Sequence, residues 1–183
     1  MGEVVLPDVE LVLKLGALID PEIAAPGAGT AREGGGGGQT PADMLAERTV
    51  QARMNELMER NPRCTVKDVI DELMKIREYA EAFEGQQPEV WVGSPDSFAG
   101  KIYVEMYGVG APTPEEYDAC SDAGVGTFVG MHATPEVIEA VRKKGKSNLI
   151  IAGHMASDSL GFNQILDMWE KQGIEVVRIS GIV

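Results

Sequence analysis

The chain has 183 residues, of which 44% are hydrophobic, and its formal net charge is -13. That length suits one α/β domain with its own core, or one domain plus a flexible appendage, and we expect the second. The acidity repels phosphate backbones and anionic lipid surfaces. We therefore expect no direct nucleic-acid partner and no membrane association. A divalent cation is the ligand that suits this negative charge better.

The two cysteines, Cys64 and Cys120, are too few and too differently placed for a disulfide scaffold or a thiolate metal cluster. Each is interpreted as a small apolar residue. No apolar stretch approaches the roughly 20 residues that cross a bilayer, and the acidic N-terminus is unlike a signal peptide. These features favour a reducing, cytoplasmic environment.

Residues 1–38 are predicted to form a short helix followed by a flexible linker. Apolar residues recur at helical spacing from Val9 to Ile19. The segment from Pro21 to Gly38 contains five consecutive glycines and almost no large apolar residue, so burial cannot offset its ordering entropy. A phosphate-binding loop is the weaker interpretation, because no Gly-Lys-Ser/Thr follows the glycines. We place the folded domain at residues 39–183.

Two helices are predicted to open this domain. Thr40-Pro41-Ala42-Asp43 supplies a cap residue, a proline at the first helical position and a carboxylate three residues after the cap, which predicts a helix to about Arg60. Asn61-Pro62 ends it. Thr65-Val66-Lys67-Asp68 repeats the capping pattern, and the second helix is expected to end near Gly85. Because few residues join them, we expect a helical hairpin.

From Pro88 onward, short apolar segments alternate with helical ones, a pattern typical of α/β proteins. Val90–Val92 and Ile102–Met106 are predicted strands, joined through Gly93–Asp96 as a hairpin or a meander. The remaining helices and strands alternate, and we expect them at Pro114–Asp122, Thr127–Met131, Pro135–Lys144, Leu149–Ile151, Ser157–Gln172 and Ile174–Ile179. Helical crossovers favour parallel pairing of the last three strands. The predicted fold class is α/β, a mixed sheet with flanking helices, preceded by the hairpin and the Gly-rich linker.

The only two histidines, His132 and His154, each follow the carboxyl end of a predicted strand. In a parallel sheet those ends meet along one rim, where ligands bind. If the two strands are neighbours, both imidazoles project to the same place. The alternative is purely structural: His132 precedes the helix cap Thr134, and His154 is a hydrogen-bonded turn residue.

Asp158 follows His154 by four residues. If the chain leaves the strand and turns into a helix at this point, the two side chains lie one helical turn apart on the same face and could reach one ion. An imidazole and a carboxylate suit Zn, Mn, Fe, Co or Mg. Alternatively, Asp158 interacts with the N-terminal dipole of that helix. Zinc usually takes three protein ligands plus water, so a third ligand would have to come from elsewhere in the chain.

Three stretches, Gly124–His132, Ile150–Gly161 and Gly173–Val177, resemble the Ngg-interacting-factor-three-like family, also known as GTP cyclohydrolase 1 type 2 or as dinuclear-metal proteins. The likeness covers residues 39–183 and includes a Gly-His-x-Ala-Ser/Thr-Asp/Glu motif. It implies an α/β fold, a pair of metal ions in a cleft and assembly into homo-oligomers.

The resemblance also implies a ligand set. His154 and Asp158 match the C-terminal metal motif, and Asp43 matches the aspartate of a His-Thr-x-x-Asp segment in which Gln39 replaces the histidine. The family's His-His pair has no counterpart, because no histidine precedes His132. Asp43, His154 and Asp158 are therefore the expected metal ligands. His132 is expected at the rim as a general base, a substitute ligand or a group that supports a ligand.

Two functions follow from these expectations. The first is a divalent-metal-binding protein, extended by the resemblance to a metal-dependent hydrolase that acts on a small, nucleotide-like substrate. The second is a non-catalytic interaction or assembly module with a degenerate metal site. A Rossmann-like nucleotide-binding domain is a weaker third reading, since no Gly-x-Gly-x-x-Gly turn follows a first strand.

Overall fold

The computed structural model describes residues 39–179 and Ile182. The short helix and the glycine-rich linker predicted for residues 1–38 lie outside these residues. The described part is an α/β structure with a mixed four-stranded sheet flanked by helices, as predicted. Within it, no helix is long and apolar enough to span a bilayer.

Helix α1 (Pro41–Arg60) confirms the first capping prediction. The Thr40 hydroxyl accepts a hydrogen bond from Asp43 N, and the Asp43 carboxylate accepts one from Thr40 N. Helix α2 (Val66–Leu73) begins with the same reciprocal pair at Thr65 and Asp68.

The prediction that α2 continues to Gly85 is wrong. The backbone at Ile76 is extended, and a separate one-turn helix, α3 (Arg77–Ala80), follows. Both Ile76 and Tyr79 are buried in the same core across this break. Burial of both side chains therefore accompanies a bend that the periodicity of the sequence did not reveal.

The sheet has the strand order β1 (Glu89–Val92), β4 (Asn148–Ile151), β3 (Val125–Gly130), β2 (Lys101–Glu105). Strands β2, β3 and β4 are mutually parallel, whereas β1 pairs with β4 in the antiparallel sense. Helix α4 (Pro114–Asp122) joins β2 to β3, and helix α5 (Pro135–Lys144) joins β3 to β4. The predicted parallel pairing is confirmed for β3 and β4, whereas the parallel pairing of β2 with β3 was not predicted.

The predicted pairing of the first two strands is wrong, because β1 and β2 lie at opposite edges of the sheet. The segment between them is attached to the start of α2 instead of closing a tight turn. Lys67 N donates to Pro95 O, and Ala99 N donates to Cys64 O. These long-range hydrogen bonds hold the segment between β1 and β2 against the start of α2, so that the chain reaches the opposite edge of the sheet.

A strand at Ile174–Ile179 is also not formed. The segment follows helix α6 (His154–Lys171), and the Arg178 guanidinium pairs with Asp167 and Glu170 on that helix. Val177 is 72% exposed.

The two faces of the sheet carry separate cores. Helices α1, α2 and α6 cover one face, hereafter the thick face, with twenty buried residues in a single cluster. Helices α4 and α5 cover the other, the thin face, with seven. On the thick face α6 approaches α1 closely at Gly161, where a Cβ atom would collide with the carbonyl oxygen of Ala42. Cys64 is buried in the thick-face core, and Cys120 is partly buried against the other.

Candidate metal centre at the carboxyl rim

The two histidines meet at the carboxyl ends of neighbouring parallel strands. His132 follows β3 and His154 follows β4, and these strands are hydrogen-bonded to each other. The imidazole rings are stacked, with centroids 5.0 Å apart and planes inclined by 7°. The expectation that both imidazoles project to one rim is therefore met by the geometry. We call His132, His154, Asp158 and the nearby Asp43 the rim cluster.

His154 and Asp158 occupy the first turn of α6, which begins at His154 and not at Ser157 as predicted. His154 Nε2 lies 3.5 Å from Asp158 Oδ2, and both side chains are partly exposed. Gly153 precedes them with φ of 98°, and a side chain there would collide with the backbone of Gln86. Only glycine fits this turn, and the turn places the first residues of α6 at the carboxyl rim of the sheet.

His132 is held in a defined tautomer. Its Nε2 lies 2.9 Å from the carbonyl oxygen of Gly110, and because a carbonyl can only accept, Nε2 carries the hydrogen. In the neutral ring Nδ1 then presents a lone pair. That nitrogen is buried and has no hydrogen-bond partner among the described residues. A backbone carbonyl that fixes one ring nitrogen while the other is left to accept is the arrangement of a metal-ligating or proton-accepting histidine.

Asp43 is buried, with 1% of its surface exposed, and does not point into solvent at its helix start. Its Oδ2 accepts hydrogen bonds from Thr40 N at 2.7 Å and from Gly108 N at 3.2 Å. The carboxylate therefore caps α1 and also fixes the loop after β2.

The charges of the rim cluster influence one another. Partial burial raises the pKa of Asp158, the charges of His154 and His132 lower it, and the neighbouring carboxylate of Asp43 raises it further. All four predicted site residues thus lie within electrostatic reach of one another. A cation placed among them would relieve the repulsion between the two carboxylates.

The donor chemistry suits a divalent metal ion, but the described residues contain no group of three or more His, Cys, Asp or Glu side chains positioned to hold one. What the structure contains is the pair His154–Asp158, with Asp43 and His132 beside it. The residues present therefore fit part of a coordination shell.

The side chain of Gln39, at the position where the resemblance implies a histidine, forms its hydrogen bonds outside the rim cluster. Its side-chain nitrogen donates to Glu47 and to the Met106 carbonyl. It therefore attaches the start of α1 to the end of β2, and its contribution is structural.

The sequence interpretation missed the loop after β2. Gly108 donates its N–H to Asp43, and Gly110 accepts from His132, so this loop orients two members of the rim cluster. The segment Gly108-Val109-Gly110, which begins one residue after the predicted strand, was the available signal. A further contributor is Ser157, whose hydroxyl donates to Gly153 O and also contacts the Tyr79 hydroxyl.

This fold and rim define an α/β protein whose candidate site is built at the carboxyl ends of adjacent parallel strands. A NIF3 superfamily protein from Sphaerobacter thermophilus, known from its crystal structure, is 36% identical in sequence, with a TM-score of 0.61, over 76% of this chain and 49% of that chain. NIF3 stands for Ngg-interacting factor three, so the chain belongs to the family that its sequence motifs resemble. It spans about half the length of that relative.

A second solved structure, the hypothetical protein SA1388 from Staphylococcus aureus, is 17% identical, with a TM-score of 0.39, over 62% of this chain and 30% of that chain. That likeness is too distant to support a conclusion. No family model matches the chain, and no curated protein matches it.

Proposed function

We propose that the rim cluster binds a divalent metal ion, with His154, Asp158 and Asp43 as ligands. The observation that supports this most directly is the position of His154 and Asp158 on one helical turn, with ligand atoms 3.5 Å apart. The His132 ring beside them presents a buried acceptor nitrogen without a partner among the described residues. Imidazole and carboxylate together suit Zn, Mn, Fe, Co or Mg.

The finer proposal is hydrolysis of a small, nucleotide-like substrate. A bound divalent ion would acidify a water molecule and polarise a substrate oxygen. His132 would accept the proton at Nδ1, because Gly110 holds its hydrogen on Nε2. Asp43 would keep the loop at Gly108 in place through its hydrogen bond to the backbone. The structure of the rim supports these roles by position.

The test is metal titration of the purified protein by calorimetry, together with metal analysis after exposure to Zn or Mn. We expect saturable binding by the wild type. The double variant H154A/D158A should bind more than about 100-fold more weakly, since even changes outside the ligand shell cost about 10–100-fold. The matched control Asp71→Ala removes a carboxylate from an exposed i,i+4 pair on α2 and should leave binding unchanged.

Equal affinity in the wild type and in the double variant would contradict the metal site. Hydrolysis is tested separately with the metal-loaded protein on nucleotide substrates, using His132→Gln. That change should lower the rate while metal affinity stays within a few-fold of the wild type. Metal binding without hydrolysis of the nucleotide substrates would contradict only the hydrolase part of the proposal.

The second candidate is a non-catalytic assembly module that forms homo-oligomers. Two observations favour it: the described residues contain no preformed three-donor group, and Gln39 is engaged structurally. Phe83 and Met155 also line one surface depression and are 68% and 45% exposed. Exposed apolar side chains in one depression suit contact with another protein surface.

Light scattering on the purified chain distinguishes the two candidates when combined with the titration. An oligomer that forms without metal and is disrupted by F83S/M155S favours the assembly module. Assembly or stability that requires the metal, and that is lost in H154A/D158A, favours the metal centre. The variant F162S, which changes an exposed aromatic residue elsewhere, serves as the matched control for the apolar substitutions.

A further inference from the structure

A cavity of about 290 Å³ lies between the edge strand β2 and helix α4, on the thin face of the sheet. Tyr103 is 40% exposed, so the cavity is accessible to solvent beside it. Its size suits a small organic molecule. Aromatic rings and carboxylates dominate its lining: Tyr103, Glu105, Tyr107, Glu116, Tyr117 and Phe128.

The aromatic walls are mutually packed. The rings of Tyr117 and Phe128 meet edge to face with centroids 4.7 Å apart, and the rings of Tyr103 and Phe128 with centroids 6.3 Å apart. Phe128 therefore connects the other two rings. Electron-rich aromatic faces around a cavity attract cations, and they also offer apolar contact to the body of a ligand.

Glu105 has an unusual environment for a carboxylate. It is 4% exposed, and its Oε1 has no hydrogen-bond partner among the described residues. Its neighbours Val104 and Met106 are buried in the thick-face core, and Glu105 projects to the cavity on the thin face. A buried carboxylate oxygen without a donor is costly and uncommon, and it calls for an explanation.

The Tyr117 hydroxyl is a second buried polar atom in the same cavity. The residue is 2% exposed, and among the described residues the hydroxyl has no hydrogen-bond partner. Both the Glu105 oxygen and the hydroxyl can accept hydrogen bonds. One ligand group with several N–H donors could satisfy both acceptors.

The local electrostatics favour a positive ligand. Burial raises the pKa of Glu105 well above its ordinary value, and the nearby carboxylates of Glu47 and Glu116 raise it further. Burial likewise raises the pKa of Tyr103 to about 12, so this hydroxyl stays neutral. A cation in the cavity would offset the repulsion among these carboxylates and favour the ionised form of Glu105.

We propose that this cavity binds a small primary amine in its ammonium form, with Glu105 as the counter-ion, the Tyr117 hydroxyl as a second acceptor, and the aromatic rings around the apolar body. The site uses no residue of the rim cluster, and it goes beyond the proposed metal function. A primary ammonium has three N–H donors, whereas a quaternary ammonium has none to offer the two acceptors.

The test is a titration of the intact chain at neutral pH with phenethylamine, followed by calorimetry and by chemical shifts. Two probes of the same shape accompany it, the neutral 2-phenylethanol and the anionic 3-phenylpropanoate. We expect saturable binding of the amine. The alcohol and the acid should bind at least roughly tenfold more weakly than the amine, since hydrogen bonds between charged groups are stronger than those between neutral groups. Added chelator should not change the result.

Variants assign the binding to the cavity. Glu105→Gln keeps the shape and removes the charge, and it should weaken amine binding by roughly tenfold or more. The control Glu115→Gln removes the same charge from the exposed side of α4 and should leave the affinity unchanged. If E105Q is poorly folded, Tyr117→Phe decides, because it removes only a hydroxyl and should weaken binding several-fold. The proposal is overturned if amine and alcohol bind equally, or if neither variant changes the affinity.

Discussion

The two faces of the sheet treat buried polar groups differently. On the side of the thick face, Glu72 is 3% exposed and pairs with Arg53, Arg60 and Lys75. On the thin face, Glu105 is 4% exposed, and its Oε1 has no partner among the described residues. The two carboxylates have nearly the same small exposed surface, but Glu72 lies close beneath three partly exposed cationic side chains, whereas Glu105 lies deeper in the protein.

The pKa shifts of these two residues differ in sign. Burial raises the pKa of Glu72, but the hydrogen bond from Lys75 and the charge of Arg60 outweigh it and leave the pKa lowered. Burial raises the pKa of Glu105, and neighbouring carboxylates add to the increase. A partnered buried carboxylate stabilises the fold at neutral pH, whereas an unpartnered one destabilises it. The buried carboxylate on the side of the thick face therefore stabilises the fold, whereas the thin face contains a buried carboxylate whose Oε1 has no hydrogen-bond partner among the described residues.

The largest effect is expected where the thick face is most tightly packed. Gly161→Ala should lower the free energy of unfolding by about 3 kcal/mol, because the added Cβ collides with the Ala42 carbonyl and forces α1 and α6 apart. Urea denaturation measures this. The control Gly124→Ala lies at a turn with φ of 93° and open space, and it should cost only about 1 kcal/mol. Equal losses would show that the helices separate easily.

Breaking the partnered acid should have the next largest effect. Glu72→Gln should lower the free energy of unfolding by about 2 kcal/mol at pH 7, since charged hydrogen bonds are weakened. The lowered pKa means that this stabilisation is present above the ordinary pKa of 4.5 and is lost as the pH falls through the native value. Unfolding curves at several pH values measure the difference. A loss that stays constant down to the lowest pH would contradict this origin, and the exposed Glu59→Gln serves as the control.

The unpartnered acid should respond in the opposite direction. Glu105→Gln should raise the free energy of unfolding by about 1 kcal/mol at pH 7. Above the ordinary pKa of 4.5 the unfolded chain releases a proton that the native state keeps, so this residue destabilises the fold increasingly as the pH rises toward its native pKa. Below about pH 4 the wild type and the variant should be equal. Destabilisation by E105Q at neutral pH would mean that the carboxylate has a favourable partner.

The smallest effects come from a pair of tyrosines. Tyr79→Phe should cost about 1 kcal/mol, because its buried hydroxyl contacts Ser157 Oγ at 3.0 Å. Tyr117→Phe should cost about zero, because its hydroxyl has no partner among the described residues. Thermal unfolding of both variants in parallel measures the difference. Equal losses of unfolding free energy in the two variants would show that the tyrosine hydroxyls on the two faces do not differ in hydrogen bonding.

Predictions from the sequence succeeded where the determining contacts are local. Thr40 with Asp43, and Thr65 with Asp68, are three residues apart, and both pairs form the reciprocal caps that their spacing predicts. Pro135 likewise follows the cap Thr134 at the start of α5. Helix starts could therefore be predicted before any tertiary contact was known.

Predictions failed where distant parts of the chain compete for one position. The turn-like Gly93–Asp96 indicated a hairpin, but hydrogen bonds from Lys67 and Ala99 lead the chain across the sheet instead. The apolar segment Ile102–Met106 indicated a strand, but it did not reveal that Glu105 would be buried near other carboxylates. Such outcomes depend on which elements pack together, which short-range patterns do not specify.

The sequence by itself determined that Asp158 lies four residues after His154 and that each histidine follows a strand, because strand patterns and spacings are local. The structure decided that α6 begins at His154, which places that histidine and Asp158 one helical turn apart. The tertiary structure decided that β3 and β4 are neighbours, and it thereby stacked the two imidazoles. It also enclosed Asp43 beside them and left Glu105 without a donor for Oε1 among the described residues. Strand order and burial are set by contacts between residues far apart in the chain, and only the packed molecule brings those residues together.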